Sequence, residues 1–164
     1  MSKFRTEIKW ALIFVAMSLL WMLFERIAGL HSTYISKHPV YTNFIAIPAI
    51  AVYVLALLEK RKKAYQGFMN YQQGFVTGLI ITGIVTLLSP LTQVITSIVI
   101  TPHFFDNAIA YAVSTGKLSQ EKAEAYFSLS NYIIQGLIGA PVMGIITSDI
   151  VALFTMKKNR GSNQ

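Results

Sequence analysis

Residues 74–100, GFVTGLIITGIVTLLSPLTQVITSIVI, decide the fold of this chain, because these 27 residues include no charged side chain. A hydrocarbon core about 30 Å thick is crossed by about 20 residues of α-helix, each adding about 1.5 Å. The stretch is therefore long enough to cross a membrane with residues to spare. Because it also contains Pro90, glycines and several hydroxyls, we expect a membrane helix with internal structure.

The composition favours a membrane protein. The chain has 164 residues, of which 54% are apolar and 13% charged, whereas soluble domains carry about 25% charged residues. Too few charges are present to cover a water-facing surface of ordinary polarity. Cysteine is absent, which excludes disulfides, thiolate metal sites and a cysteine nucleophile. We predict one integral membrane domain over residues 1–164.

Three further apolar stretches, at about residues 8–24, 41–58 and 132–156, accompany the stretch at 74–100. The first follows basic residues, as the core of a signal peptide would, but no small-x-small cleavage site comes after it. We therefore interpret it as an uncleaved helix. The sequence predicts an all-α fold, a bundle of four transmembrane helices, numbered helix 1 to helix 4.

The longest connection, about residues 102–130, lies between helices 3 and 4. Thr101 and Pro102 are typical of a helix start and Gly116 of a C′ stop. Apolar residues recur at helical spacing between them, which predicts a short amphipathic helix on the outer surface. Ser119 is a candidate cap for a second, polar helix, which we leave open to continue into helix 4.

Basic residues are divided unequally between the two sides of the predicted bundle. Four spans place both termini on one side, together with the loop between helices 2 and 3. That side carries ten of the fourteen basic residues, namely Lys3, Arg5, Lys9, Lys60, Arg61, Lys62, Lys63, Lys157, Lys158 and Arg160. Because basic residues stay on the cytoplasmic side, we predict that both termini are cytoplasmic.

The net charge of +7 is therefore a topology signal, and we expect no nucleic-acid partner. The bilayer itself is the expected partner, and basic residues next to a span attract anionic lipid headgroups. We expect that contact at the densest basic run, Lys60, Arg61, Lys62 and Lys63.

Small residues recur every four positions on two of the helices. On helix 4 they are Gly136, Ala140, Gly144, Ser148 and Ala152, and on helix 3 they begin with Gly74 and Gly78. Such stripes let helix backbones approach closely in lipid. They predict either packing of helix 3 against helix 4 within one chain, or association with a second copy or another membrane protein.

Polar residues inside the spans form two groups. Counting along each helix places five of them in the outer third of the bundle, and these are Glu25, Asn43, Ser89, Gln93 and Gln135. Facing inwards they would form a vestibule; otherwise Glu25 marks a helix end and the amides satisfy one another. Asp149 is the deepest acid, and it serves either proton or ion handling or structural hydrogen bonding.

Pro90 lies inside helix 3 and frees the carbonyl of Thr86, four residues earlier. Hydroxyls at Thr86, Ser89 and Thr92 are available to bond such groups. Broken helices build ion and substrate sites in transporters, although a membrane proline often only kinks its helix. Both interpretations stay open.

Enzyme motifs are missing: the sequence has no Gly-rich phosphate loop, no HExxH and no Gly-x-Ser-x-Gly. His31, His38 and His103 all fall in or beside the outer connections. His31 and His38 could share a metal, but two imidazoles without a third ligand are weak grounds for a site. We expect surface roles for the histidines, no metal, no cofactor and no enzymatic activity.

Several short motifs are similar to one family. They include Tyr41-Thr42-Asn43, Gln73-Gly74-Phe75, Leu88-Ser89-Pro90-Leu91-Thr92-Gln93, Ile100-Thr101-Pro102 and Ala123-Glu124-Ala125-Tyr126-Phe127. Together they resemble the bacterial membrane proteins of domain of unknown function (DUF) family 4199 over nearly the whole chain. The resemblance implies four membrane helices in a bacterial cytoplasmic membrane, and it implies no activity.

Two functions fit these patterns. The first is a non-enzymatic accessory or interaction subunit of the inner membrane, favoured by the helical outer connection and the small-residue stripe of helix 4. The alternative is a small oligomeric transporter or ion- or proton-coupled carrier that uses Glu25, Pro90, Gln93 and Asp149.

Overall fold

The chain folds into a bundle of four long helices, which a computed structural model describes for residues 4–158. The long helices are α1 (Arg5–Ile27), α3 (Ala46–Ala64), α4 (Tyr71–Ile95) and α7 (Leu129–Thr155). Shorter helices are α2 (His38–Tyr41), α5 (Phe104–Ser114) and α6 (Gln120–Tyr126). No strand occurs within residues 4–158, and the predicted all-α fold is confirmed.

Four helical segments are long and apolar enough to cross a membrane: Arg5–Ile27, Ile35–Ala64, Tyr71–Ile100 and Leu129–Thr155. Large apolar side chains cover their outer faces; Leu87 and Phe154, for example, are 80% and 84% exposed. Such faces are at home in lipid and unfavourable in water. The structure is that of a multi-pass membrane protein.

The four long helices run up and down, so that each end of the bundle has its own chemistry. At one end, Lys9 and Lys60 of α1 and α3 pair with acids of the other helix, and Met69 exchanges two backbone hydrogen bonds with Lys157. We call this the basic end. At the other, Arg26 donates to the carbonyl of Ile100, and we call it the histidine end. Lys3 and Arg160, both counted in the topology argument, lie outside the described residues.

The closest helix pair is α4 with α7, and small residues make it so. A Cβ added to Gly78 would lie 2.6 Å from the Cβ of Ser148, and one added to Gly144 would lie 2.9 Å from the Cβ of Thr82. The hydroxyls of Thr82 and Ser148 donate to carbonyls of their own helices, at 2.9 and 2.6 Å. The stripes therefore face each other within one chain, which is the intramolecular arrangement considered above.

The second span has different bounds from those expected. Two 3₁₀ segments, Ile35–Lys37 and Thr42–Ile45, flank α2 before α3 begins at Ala46. At its other end α3 continues to Ala64 and includes the basic run that the sequence argument placed in a loop. Positive charge in a last helical turn complements the helix dipole, which explains the extra turn.

Pro90 is accommodated by a neighbouring hydroxyl. Ser89 Oγ donates to the carbonyl of Thr86, the group that the proline leaves without a backbone donor, at 2.9 Å. Further along, α4 passes into a π-helical segment, Thr96–Ile100. The Thr101 hydroxyl donates back to the carbonyl of Thr96, so it does not cap the next helix as predicted. α5 begins at Phe104, three residues after Thr101.

The connection between α4 and α7 is helical, as predicted. Its second helix, α6, is separate from α7, so the alternative of one continuous helix is not observed. Gly116 adopts φ +67° and ends α5 as a C′ residue, with Lys117 bonding back to the carbonyl of Ala112. Ser119 precedes α6. α6 does not continue into α7, because Ser128 caps the start of α7 through the backbone N–H of Asn131.

Candidate functional site

Glu25, His31 and His38 meet at the histidine end, and we call them the Glu–His cluster. Glu25 Oε2 lies 3.0 Å from His31 Nε2 and 3.3 Å from His38 Nε2. The ligand atoms of the three side chains all lie within 4.8 Å of one another. A carboxylate and two imidazoles are thus brought together from the end of α1 and from the segment that follows it.

A tight turn brings His31 back over the end of α1. Gly29 adopts φ +76°, its N–H bonds to the carbonyl of Arg26, and the N–H of Leu30 bonds to the carbonyl of Glu25. These two bonds form a Schellman motif, in which glycine at C′ reverses the chain. The reversal places His31 beside the Glu25 carboxylate, six residues earlier.

Glu25 and His31 are buried, and His38 is half-buried. Glu25 is 0% and His31 4% exposed. Trp21, one turn before Glu25, donates its indole N–H to Glu25 Oε1 at 2.5 Å, which leaves Oε2 to the imidazoles. Asn107 of α5 donates to the backbone carbonyl of His31 at 2.9 Å. The ring of Phe104 packs against both imidazoles, with centroids 5.1 Å away in each case.

Two nitrogens of the Glu–His cluster, His31 Nδ1 and His38 Nε2, are buried without a hydrogen-bond partner among the described residues. A buried polar atom without a partner costs free energy, so each such atom in a folded protein needs an explanation. A carboxylate with two imidazoles has two chemical uses: it can hold an imidazolium ion, or it can ligate a metal ion.

A cavity of about 330 Å³ adjoins the Glu–His cluster, and we call it the aromatic cavity. His38 and Phe104 form part of its wall. The rest comes from the segment around α2, from α5 and from residues 117–132, including Tyr111, Phe127 and Tyr132. The arrangement gives the histidine end a concave, mostly apolar surface next to a buried charged group.

The five residues of the predicted outer vestibule do not lie together in the structure. Ser89, Gln93 and Gln135 line one cavity of about 240 Å³ between α1, α4 and α7, which we call the intramembrane cavity. Glu25 belongs to the Glu–His cluster instead. Asn43 is exposed and donates to the carbonyl of Pro39 one turn earlier, so it faces away from both.

Asp149 lies apart, towards the basic end. Its carboxylate accepts a short hydrogen bond from the hydroxyl of Tyr71, the first residue of α4. A helical end residue with a long side chain reaches further into the bundle than depth counting allows, which is why Tyr71 was missed.

The basic run is largely engaged within the protein. Lys60 is buried and pairs with Glu7 at 2.7 Å. Arg61 donates to the carbonyl of Thr155 at 2.7 Å. Lys63 pairs with Glu59 at 2.8 Å while staying exposed, and Lys62 is exposed as well. The surface that this run offers to lipid headgroups is therefore smaller than its sequence indicates.

The histidines were expected at the surface. This prediction is wrong for His31, which is buried, whereas the side chain of His103 is 82% exposed, as expected. The third side chain that could ligate a metal together with His31 and His38 is Glu25, which the sequence left open as either a vestibule residue or the end of a helix. One signal could have joined them: Gly29 lies between Glu25 and His31, and a C′ glycine folds the chain back onto the last helical turn.

Comparison with known proteins agrees with the resemblance inferred from the short motifs. Residues 9–157 match the family described as "Protein of unknown function (DUF4199)", and the match includes every residue of the Glu–His cluster and of both cavities. No curated protein and no solved structure matches the chain. Because the matched residues make up most of the sequence, the chain belongs to this family, DUF4199, whose function is unknown.

Proposed function

We propose that this chain is a non-enzymatic accessory or interaction subunit of a bacterial cytoplasmic membrane, which binds a membrane-protein partner at its histidine end. The observation that carries the proposal is the aromatic cavity. Aromatic rings supply large contact areas at little cost in side-chain entropy, and partner-binding surfaces are enriched in them. Here five phenylalanine and tyrosine rings line a recess of about 330 Å³, namely Phe104, Tyr111, Tyr126, Phe127 and Tyr132.

The cavity walls favour an apolar segment as the bound part of the partner. Among the described residues of the wall, Lys117 is the one lysine or arginine, and its ammonium group lies over the Tyr111 ring, 4.8 Å from the centroid. The α4–α7 interface supports an interaction role in a different way. The glycines at this interface already pack against side chains of the same protein, so a partner has to bind at another surface.

The experiment is photo-crosslinking in the native membrane. A photoreactive residue replaces Tyr111 in the aromatic cavity, or Phe68, which is 40% exposed at the basic end, as the matched control. After mild solubilisation, native mass determination and identification follow. We expect one stoichiometric partner crosslinked from position 111 and not from 68. Thr42→Trp, which fills the cavity from its α2 side, should abolish the product.

Two results would contradict the interaction role. Equal crosslinking from both positions would mean that the aromatic cavity is not the contact. A chain that migrates as a lone monomer with no crosslinked product would remove the accessory role. A homo-oligomer would instead move the carrier function to the front.

A small oligomeric carrier is the second candidate, and the intramembrane cavity favours it. Ser89, Gln93 and Gln135 line that cavity beside Pro90, and polar groups at such a depth are characteristic of transport paths. In proteoliposomes, Gln135→Leu and Asp149→Asn should lower ion or proton flux without loss of folded protein. Unchanged flux with a lowered unfolding temperature would assign both residues to packing.

The proposed orientation places the basic end in the cytoplasm, with Lys62 and Lys63 in contact with anionic headgroups. Because the chain has no cysteine, single cysteines are clean reporters. In intact cells, a membrane-impermeant thiol reagent should label a cysteine at Lys117 and leave one at Lys62 unlabelled. The reverse pattern would overturn the orientation.

A further inference from the structure

We propose that Glu25, His31 and His38 form a binding site for one divalent transition-metal ion, with Zn²⁺ as the ion that suits the site best. The proposal stands on the geometry of the Glu–His cluster alone. It does not depend on whether the protein is an accessory subunit or a carrier.

The donor set matches the preference of zinc. Imidazole nitrogens and carboxylate oxygens bind Zn²⁺ at about 2.0–2.2 Å, so neighbouring ligand atoms of a tetrahedral ion lie about 3.3–3.6 Å apart. In the Glu–His cluster, Glu25 Oε2 is 3.3 Å from His38 Nε2, which is within this range. Its distance of 3.0 Å from His31 Nε2 is that of a hydrogen bond, and it would lengthen by about 0.3 Å around an ion. Ca²⁺ and Mg²⁺ prefer oxygen ligands throughout, so two imidazoles disfavour them.

His38 supplies a second, independent observation. Its Nε2 is buried and has no hydrogen-bond partner among residues 4–158, although it lies 3.3 Å from a carboxylate oxygen. His31 Nε2 is hydrogen-bonded to the same oxygen at 3.0 Å. An ion between the three side chains would replace that hydrogen bond and bond the lone pairs of both Nε2 atoms, with the proton of neutral His31 carried on Nδ1. It would also neutralise the carboxylate, and it accounts for the unsatisfied Nε2 of His38.

The surroundings hold the ligands in place, as the outer shell of a metal site does. The Trp21 indole N–H fixes the Glu25 carboxylate by binding its second oxygen. The Schellman turn at Gly29 fixes the backbone before His31, and Asn107 holds the His31 carbonyl. Phe104 covers both rings and limits access of water.

Three protein ligands leave the fourth position of a tetrahedral ion open. His38 forms part of the wall of the aromatic cavity, so the ion would be reached from that side. Water, or a side chain that enters the cavity, would fill the fourth position. Binding of a partner side chain in the aromatic cavity and binding of the ion would therefore affect each other.

The test is zinc binding to the full chain in detergent after removal of metals with a chelator. Titration with Zn²⁺ alone, against a fluorescent competing chelator, should give one ion per chain. His38→Gln should weaken binding ~100-fold or more, because it removes a ligand, and Trp21→Phe ~10-fold to 100-fold, because it removes an outer-shell hydrogen bond. His103→Gln, at an exposed histidine of the same end, should change nothing.

Folding of the variants is checked by their unfolding temperature without metal, and Zn²⁺ should raise that temperature for wild type and not for His38→Gln. The wild-type titration is decisive even if a variant fails to fold. No binding by wild type at micromolar Zn²⁺ would overturn the proposal. So would binding that His38→Gln leaves intact, or binding that Mg²⁺ or Ca²⁺ displaces at equal concentration.

Discussion

The α4–α7 interface and the Glu–His cluster both bury polar groups in one bundle, but they differ in how those groups are satisfied. At the interface, the Thr82 and Ser148 hydroxyls bond to carbonyls of their own helices, and no space remains for an added Cβ at Gly78 or Gly144. In the Glu–His cluster, two ring nitrogens have no hydrogen-bond partner among residues 4–158. The contact around Gly78 and Gly144 is filled and its hydroxyls are bonded, as in a scaffold. The Glu–His cluster holds metal-ligating atoms in place without satisfying all of them, and this is where we propose a ligand.

The largest expected effect breaks the scaffold side of this comparison. Gly144→Leu forces a side chain into Thr82 of α4, and overpacking costs about 1–3 kcal/mol or more. We expect the upper part of this range or a failure to fold, measured by SDS-induced unfolding and size-exclusion chromatography. Gly139→Leu is the matched control on the same helix, because a Cβ there meets no atom within 4 Å. Equal stability of the two variants would contradict close packing.

The next effect is on the Glu–His cluster. Glu25→Ala removes the shared acceptor of Trp21 and His31 and leaves buried donors unpaired, which costs about 1–3 kcal/mol. We expect a lower free energy of unfolding for metal-free protein, by that amount or somewhat less. Glu121→Ala, at an exposed acid of the same end, serves as control. If the two variants unfold alike, the carboxylate is not held as described.

A smaller effect tests the turn at Gly29 separately from the side chains of the Glu–His cluster. Gly29 needs φ +76°, and its added Cβ would also meet the Tyr34 ring at 3.3 Å. A left-handed conformation costs other residues about 1–2 kcal/mol, so Gly29→Ala should lower the free energy of unfolding by that amount. Gly83→Ala, with no atom within 4 Å and no left-handed φ, should be neutral or stabilising.

The smallest effect sharpens the scaffold side again. The Tyr53 hydroxyl bonds Thr82 Oγ1 at 2.8 Å, and because Thr82 donates to Gly78, Tyr53 is the donor. Tyr53→Phe should lower the free energy of unfolding by about 1 kcal/mol, the usual net worth of one hydrogen bond. A change above that of Glu25→Ala would invert the comparison between the two regions.

The two regions also differ in how well the sequence predicts them. The four-residue spacing puts the small residues of α4 on one face and those of α7 on one face, so the sequence predicts both surfaces. That the two faces meet within one chain, with Gly78 against Ser148, is what the structure adds. The residues of the Glu–His cluster do not recur at a regular helical spacing. The Glu–His cluster depends on one left-handed glycine and on two 3₁₀ segments that bend the chain before α3, and neither sets a recognisable spacing between Glu25 and His38.

The four spans and the all-α fold were predicted from hydrophobic length, and the family match from short motifs; both are confirmed. Side-chain partners were harder to predict. Lys60, expected at lipid headgroups, pairs inside the bundle with Glu7, because α3 continues past Leu58 and turns Lys60 inward. Depth along a helix is readable from sequence, whereas the direction of a side chain around it depends on where the helix ends.

The separation of α4 from α7 along the chain also has a consequence for biosynthesis. Gly78 leaves the ribosome 70 residues before Ser148, so α4 is in the lipid while its partner is still being made. The face of α4 that carries Gly78 packs against α7 in the folded bundle, so this face lacks its partner helix until α7 is made. Of the four spans, the last one along the chain is therefore the one that completes the closest helix contact. A chain that stops before residue 129 lacks that contact, and we expect it to form a looser bundle.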